Sequence, residues 1–310
     1  MLVQFTIKNY KCFKDEAILS MEASADKEHP ENVISFGKER LIKAAAVFGA
    51  NASGKSSLFQ ALTAGILAVR DSNKRQVNQP ISVIIPFKFD DGSVNEGIEF
   101  EFVFIESGTK YVYRFKATMT EVISESLLAY KSAKPTTIFE RDETREPVYR
   151  FTSSALKKEL QPLTGRNTKN KMFLATATEW NSKETAAPFR FFQKGINTYS
   201  SDYSNELPNI GRSLEQDKDG SLREFIKQTL RNSDISIDGF MFEAKDMKKE
   251  EFLAGFPPQV RGIIPFDEAA DNRSYSIRTI HNVKGEEGRK PYALDIMEES
   301  EGTRAIFTLA

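Results

Sequence analysis

Eight consecutive residues, Gly49, Ala50, Asn51, Ala52, Ser53, Gly54, Lys55 and Ser56, constrain this chain more than any others. They fit G-x-x-x-x-G-K-[ST], a loop whose backbone N–H groups curve around clustered negative charge. Its glycines accept backbone angles that a side chain would block. A helix starting at the end of the loop points its positive end at the same spot. Lys55 is placed to reach the β- and γ-phosphates of a nucleoside triphosphate, and the Ser56 hydroxyl to bind Mg²⁺. Ser57 is counted with the loop as a nucleotide-binding residue. The motif needs a strand before it and a helix after it. Residues 41–48 (LIKAAAVF) are a short apolar run that reads as a buried strand, and Leu58, Leu62, Ile66 and Val69 recur at helical spacing.

A chain of 310 residues can bury a core for one large domain or two modest ones. Its 43 basic and 44 acidic side chains leave a net charge of −1. No global positive field therefore draws it to nucleic acid or an anionic membrane, and any such contact needs a local patch. The single cysteine, Cys12, excludes an intrachain disulfide, fits a reducing cytoplasm, and reads as a small, partly buried apolar residue. The N-terminal stretch has Lys8 and Lys11 inside it and lacks the uninterrupted apolar core of a signal peptide. No apolar run approaches the length of a membrane span.

In chain order, residues 2–8 alternate as a half-buried strand and 17–21 read as its return. Residues 24–40 read as a loop, and 71–80 as a polar connection after the helix. From residue 81 the period changes to two. Residues 98–105, 111–115, 122–130, 137–140 and 148–151 form a series of short strands joined by brief turns, which implies an antiparallel meander. Residues 153–232 are mostly helical in character, and Leu222, Phe225, Ile226 and Leu230 mark the clearest amphipathic helix. Within this part Lys157, Lys158, Arg166, Lys169 and Lys171, opposed by Glu159, form the one basic cluster; it reads as a solvated face, with phosphate contact as the alternative. Trp180 reads as a packing residue. Residues 235–243, 275–282 and 292–297 read as strands and 246–255 as a short charged helix. Three parts result: 1–152, an N-terminal lobe with loop and meander; 153–232, a helical insert; and 233–310, a return to the lobe.

Ser300, Glu301, Gly302, Thr303 and Arg304 open a final helix, with Ser300 as N-cap and an acidic residue in the first turn. Taken with the loop, a helix end presenting a hydroxyl beside a flexible glycine is a second anion site. With the turn of Asn9, Tyr10, Lys11, Cys12 and Phe13, the GANASGKSS loop and the SEGTR signature, the chain resembles an ABC-type ATPase head of the SMC/RecF superfamily. It is most similar to the AAA-labelled ATP-binding proteins of bacterial phage-defence (abortive-infection, RloA-like) loci.

The resemblance implies an α/β P-loop NTPase fold of ABC-ATPase type, with a mixed sheet, an antiparallel β meander and a helical insert. It implies ATP held by residues 49–57 with Mg²⁺, and Ser300 and Gly302 contacting the γ-phosphate of another subunit's ATP. The expected assembly is therefore a homodimer or higher oligomer that sandwiches nucleotide and controls a separate effector, a nuclease or toxin. Lys55 and Ser300 are the expected catalytic groups, and Lys11 matches a basic residue near the nucleotide. The metal-reaching glutamine has Gln76 and Gln79 as candidates. Such heads also need an Asp-Glu strand and a histidine switch after the signature, and the expectation is that 1–310 ends before them. Asp267-Glu268 and Asp90-Asp91 have the letters but the wrong context, a proline at 265 and a turn respectively. A RecF-like DNA-binding or repair ATPase and a P-loop kinase are the alternative readings.

Overall fold

The opening alternation becomes strand β1 (Leu2–Lys8), with Val3, Phe5 and Ile7 buried. β2 (Ala17–Ser20) returns beside it, antiparallel, as the pattern indicates. The computed structural model describes residues 1–198, 206–233, 237–254, 273–285 and 288–309, and the chain divides into two units, Met1–Thr198 and Tyr199–Ala310.

In the first unit the stretch read as a loop contains a hairpin, β3 (Val33–Phe36) and β4 (Glu39–Ile42), which turns through Gly37 at φ 57°. Its pairs mix polar and apolar residues without strict alternation, so a period-two search passes over it. Helix α1 (Lys55–Arg70) follows the glycine loop. A short helix, α2 (Asp91–Asn95), is capped by Asp90, whose Oδ2 accepts the Ser93 amide at 3.1 Å. The meander then runs as β5 (Ile98–Glu106), β6 (Thr109–Ala117), β7 (Val122–Tyr130), β8 (Thr136–Asp142) and β9 (Tyr149–Arg150). Together with the first two strands it forms one antiparallel sheet in the order β2-β1-β5-β6-β7-β8-β9.

Alternation gives that sheet two unlike faces. On one, Phe5, Ile7, Phe100, Phe102, Phe104, Tyr113 and Phe115 are buried. The other carries rows in register, Thr6, Glu101, Arg114, Ser126 and Glu140 among them. Its charges pair within the sheet, as in Lys116 with Glu99 at 3.0 Å and Arg114 with Glu101. Helix α1 lies on the aromatic face through Ala61, Ala64, Ile66, Ala68 and Val69. Gly65 permits the contact, because a β-carbon there would stand 2.7 Å from the Phe102 ring.

Helices α3 (Ser154–Thr164), α4 (Phe173–Glu179) and α5 (Lys183–Arg190) share this core. The fully buried Glu125 of β7 fastens α4 to the sheet. It accepts the Phe173 amide at 2.6 Å, the Leu174 amide at 2.9 Å and the Tyr113 hydroxyl at 2.8 Å. Those amides are orphan donors at a helix start, so the carboxylate satisfies groups that would otherwise be buried bare. Burial pushes the Glu125 carboxyl above its ordinary value, against the pull of Arg141 and these donors.

The expected buried strand over residues 41–48 does not form as one piece. Leu41 and Ile42 end β4, and residues 43–48 pair with no described strand. Ala44, Ala45 and Ala46 are exposed, and Phe48 is 89% exposed. An apolar run becomes a strand only where an edge is available to take its N–H and C=O groups. Every strand pairing among the described residues is antiparallel, so the expected mixed sheet is not formed by them.

The second unit begins with α6 (Leu207–Gln216) and α7 (Ser221–Asn232), so the helices of residues 153–232 divide between the two cores. Strands β10 (Gly239–Asp246), β11 (Arg273–Gly285) and β12 (Gly288–Asp295) make an antiparallel sheet in that order, with α8 (Lys249–Ala254) between the first two along the chain. The final helix, α9 (Glu301–Leu309), follows a turn at Ile296–Glu298. Its Phe307 is buried with Leu214, Ile226, Leu230, Phe240 and Ile277, its ring edge-on to Phe240 at 5.0 Å.

Candidate nucleotide-binding site

The loop of residues 49–54 closes on itself before α1 begins. The Ser53 amide donates to the Ala50 carbonyl at 3.2 Å, and Ala52 and Gly54 take positive φ, 62° and 95°. Gly54 is the N-cap, and the first helical bond runs from the Leu58 amide to its carbonyl at 2.9 Å. Among the described residues the amides of Gly54, Lys55, Ser56 and Ser57 have no hydrogen-bond acceptor. Four free donors at a helix start, ringed by left-handed backbone, are an anion cradle.

Lys55 Nζ donates to the carbonyls of Gly49 at 2.9 Å and Ala50 at 2.8 Å, which holds the ammonium over the loop. An ammonium has three hydrogens, so one donor remains. Ser56 is exposed at the first turn. Among the described residues no carboxylate pairs with Lys55, and donors with positive charge so placed fit a polyphosphate. Among the described residues no group of three His, Cys, Asp or Glu side chains could hold a metal by itself. A divalent cation here would depend on the Ser56 hydroxyl and on phosphate oxygens.

The AAA domain family described as "AAA domain, putative AbiEii toxin, Type IV TA system" matches residues 44–310, from just before the loop through α9. The chain belongs to this AAA family. It is accordingly a P-loop ATPase domain of a nucleotide-binding class that ordinarily works with Mg²⁺. A search of curated proteins found no match. No helix among the described residues is long and apolar enough to cross a membrane.

Around the loop of this AAA domain lies a turn at residues 9–13. Asn9 and Lys11 have positive φ, 61° and 48°, and the Asn9 side chain donates to the carbonyls of Ser93 at 2.7 Å and Glu96 at 2.9 Å. Lys11 Nζ donates to Gln60 Oε1 of α1 at 2.7 Å, so this expected nucleotide neighbour lies one helical turn past the loop. A β-carbon on Gly54 would meet the Cys12 sulfur at 3.1 Å and the Phe13 ring at 3.2 Å. Cys12 is exposed beside the loop and not a partly buried apolar residue as its type suggested. Gln60 and Cys12 have no sequence signal as site residues, because only folding of the turn onto α1 brings them there.

Gln76 and Gln79 are not brought to the loop. They form a turn beyond the far end of α1, where the Gln76 amide donates to Gln79 Oε1 at 2.9 Å. The sixteen residues of α1, of which Lys55 is the first, span about 24 Å to that end. Asp90 acts as a helix cap, in keeping with a turn role. Asp267 and Glu268 lie outside the described residues.

In the second unit of this AAA domain, Ser300 caps α9 as its sequence indicates: Oγ accepts the Thr303 amide at 3.1 Å and lies 2.9 Å from the Thr303 hydroxyl. Ser300 and Gly302 are exposed, and apart from the helix's own adjoining backbone and chain neighbours the nearest described atom to a Gly302 β-carbon would be Ser300 Oγ, at 3.8 Å. Just before the cap, Glu299 Oε1 lies 2.7 Å from His281 Nε2 and beside the Thr279 hydroxyl. The sequence left His281 isolated; register along β11 brings it to Glu299.

Proposed function

We propose that this AAA domain binds Mg-ATP through residues 49–57 and closes head to tail on a second copy, each copy presenting Ser300 and Gly302 to the other's γ-phosphate. The single observation that carries the reading is a pair of exposed helix starts in one chain, one with four free amides and one with a free-facing serine cap. Lys55 and the amides of α1 would hold the β- and γ-phosphates, Ser56 would ligate the cation, and Lys11 would border the site. Bound Mg²⁺ supplies neutralisation of the charge that builds up on the transferring phosphoryl group. Closure stabilised by ATP and released by hydrolysis is a two-state switch. We assign its output to a cytoplasmic effector protein, a nuclease or toxin acting against phage. The family's description, with its toxin–antitoxin setting, supports that assignment, and the likeness to SMC/RecF-type heads supports the sandwich geometry.

Sedimentation velocity with and without Mg-ATP tests the reading. Wild type should dimerise with ATP, whereas Ser300→Arg should bind ATP and stay monomeric. Equal dimerisation of the two proteins would sink it.

The nucleic-acid alternative draws little from the basic cluster. Arg166 stacks on the Trp180 ring at 3.6 Å, Lys169 pairs with Glu121 at 3.8 Å, and Lys171 Nζ reaches the Asn73 carbonyl at 3.5 Å. Lys157 and Lys158 of α3 remain as exposed cations of that group. A small-molecule kinase would leave the exposed α9 cap without a role.

A further inference from the structure

Glu299 immediately precedes an exposed serine, and its side chain could turn out to water at little cost. It turns inward instead and is 8% exposed. Desolvating a carboxylate is unfavourable unless donors meet it. Here both come from β11: His281 Nε2 at 2.7 Å and the Thr279 hydroxyl. Residues two apart on a strand share a face, so the two donors form one rigid bracket. Thr279 is itself fully buried and its hydroxyl also lies 3.2 Å from the Leu294 carbonyl of β12.

The other end of α9 is held independently by Phe307 against Phe240. Capping at Ser300 needs only the serine and the Thr303 amide, so the Glu299 bracket is not required to make the helix. What it adds is direction. With backbone fixed one residue before the cap, the Ser300 hydroxyl and the free amides of the first turn face one way.

We propose that His281 and Thr279 are positioning residues that, through Glu299, orient the Ser300 end of α9 toward nucleotide bound by a second copy of the chain. This rests on the reading of Ser300 given above, and the test separates the two. In the full chain, Mg-ATP affinity, ATP-dependent dimerisation and turnover are measured for Glu299→Ala, His281→Leu, His281→Gln and Thr279→Val, with Ser300→Arg as control.

A misaimed contact group should lower dimerisation and turnover by about tenfold or more in Glu299→Ala and His281→Leu. Mg-ATP affinity at the loop, in the other unit of the chain, should stay within about twofold. His281→Gln keeps an N–H donor and should recover much of the loss; Thr279→Val, the mildest change, should show a partial one. If Ser300→Arg abolishes dimerisation while the Glu299 and His281 variants match wild type, the positioning role is wrong and the signature reading stands. If Ser300→Arg is also silent, the signature reading fails and takes this inference with it. Loss of Mg-ATP affinity in parallel with dimerisation would mark the bracket as a general structural tie and overturn the proposal.

Discussion

A β-carbon placed on Gly54 would stand 3.1 Å from the Cys12 sulfur, so the turn after β1 closes directly against the phosphate loop. The loop's curvature is therefore set from two sides, by its own left-handed residues and by a neighbour more than forty positions earlier in the chain.

Gly54→Ala is expected to damage binding more than folding. Left-handed backbone costs a side chain about 1–2 kcal/mol, and the new methyl also presses on Cys12 and Phe13. Titration with a fluorescent ATP analogue should show at least about tenfold weaker affinity, with a melting temperature only a few degrees below wild type. In the native protein, alkylation of Cys12 with a maleimide should weaken ATP binding, and Mg-ATP should slow the labelling. Labelling unaffected by ATP would place the thiol away from the nucleotide.

Lys55→Ala removes the ammonium held over the loop by the Gly49 and Ala50 carbonyls. A charge-assisted hydrogen bond is worth about 1.5–3 kcal/mol, which corresponds to roughly a tenfold to hundredfold loss of ATP affinity. Both acceptors are exposed, so stability should hardly change. Calorimetric titration and a thermal melt together check this; unaltered affinity would contradict the loop's assignment.

Glu125→Ala should cost about 3–5 kcal/mol, because it strips the acceptor from two buried amides and the Tyr113 hydroxyl, while Arg141 keeps Glu143 at 2.8 Å. Glu125→Gln keeps the shape but turns an NH₂ toward one of those donors, so a smaller loss is expected. Urea unfolding followed by Trp180, the single tryptophan, reports on α4, since Trp180 is its C-cap. Wild-type stability in Glu125→Ala would show that α4 is not fastened by this carboxylate.

The α2 cap should be acid-labile. Hydrogen bonds from the Ser93 hydroxyl and amide hold Asp90 below its ordinary 3.8. A depressed carboxyl gives its full stabilisation above 3.8 and loses it as pH falls through the lower folded value. Exchange of the Ser93 amide should therefore gain protection on raising pH through that window, once corrected for intrinsic rates. Asp90→Asn should flatten the dependence.

The strands of the meander and helix α1 were legible because their information is local. Phe100, Phe102 and Phe104 declare a buried face by spacing alone, and the glycines of the loop declare its curvature. The α9 cap was legible for the same reason, as Ser300 bonds three residues ahead. The apolar run at 41–48 misled because apolarity says that a segment suits burial, and a strand also needs a partner edge. The hairpin of β3 and β4 was missed for the converse reason: it has partners but no clean alternation.

What the sequence alone determined was thus the loop, its helix, the alternating strands and the serine cap, each set by steric or hydrogen-bonding demands within a few residues. Tertiary structure decided the company those pieces keep: Lys11 with Gln60, Cys12 with Gly54, Glu125 with Phe173, His281 with Glu299. Those pairs are 18 to 49 positions apart, and a hydrogen-bonding side chain carries no mark of which distant donor it will meet. Only packing of the sheets and helices brings such groups within reach, and the orientation of both candidate phosphate-facing helix ends depends on it.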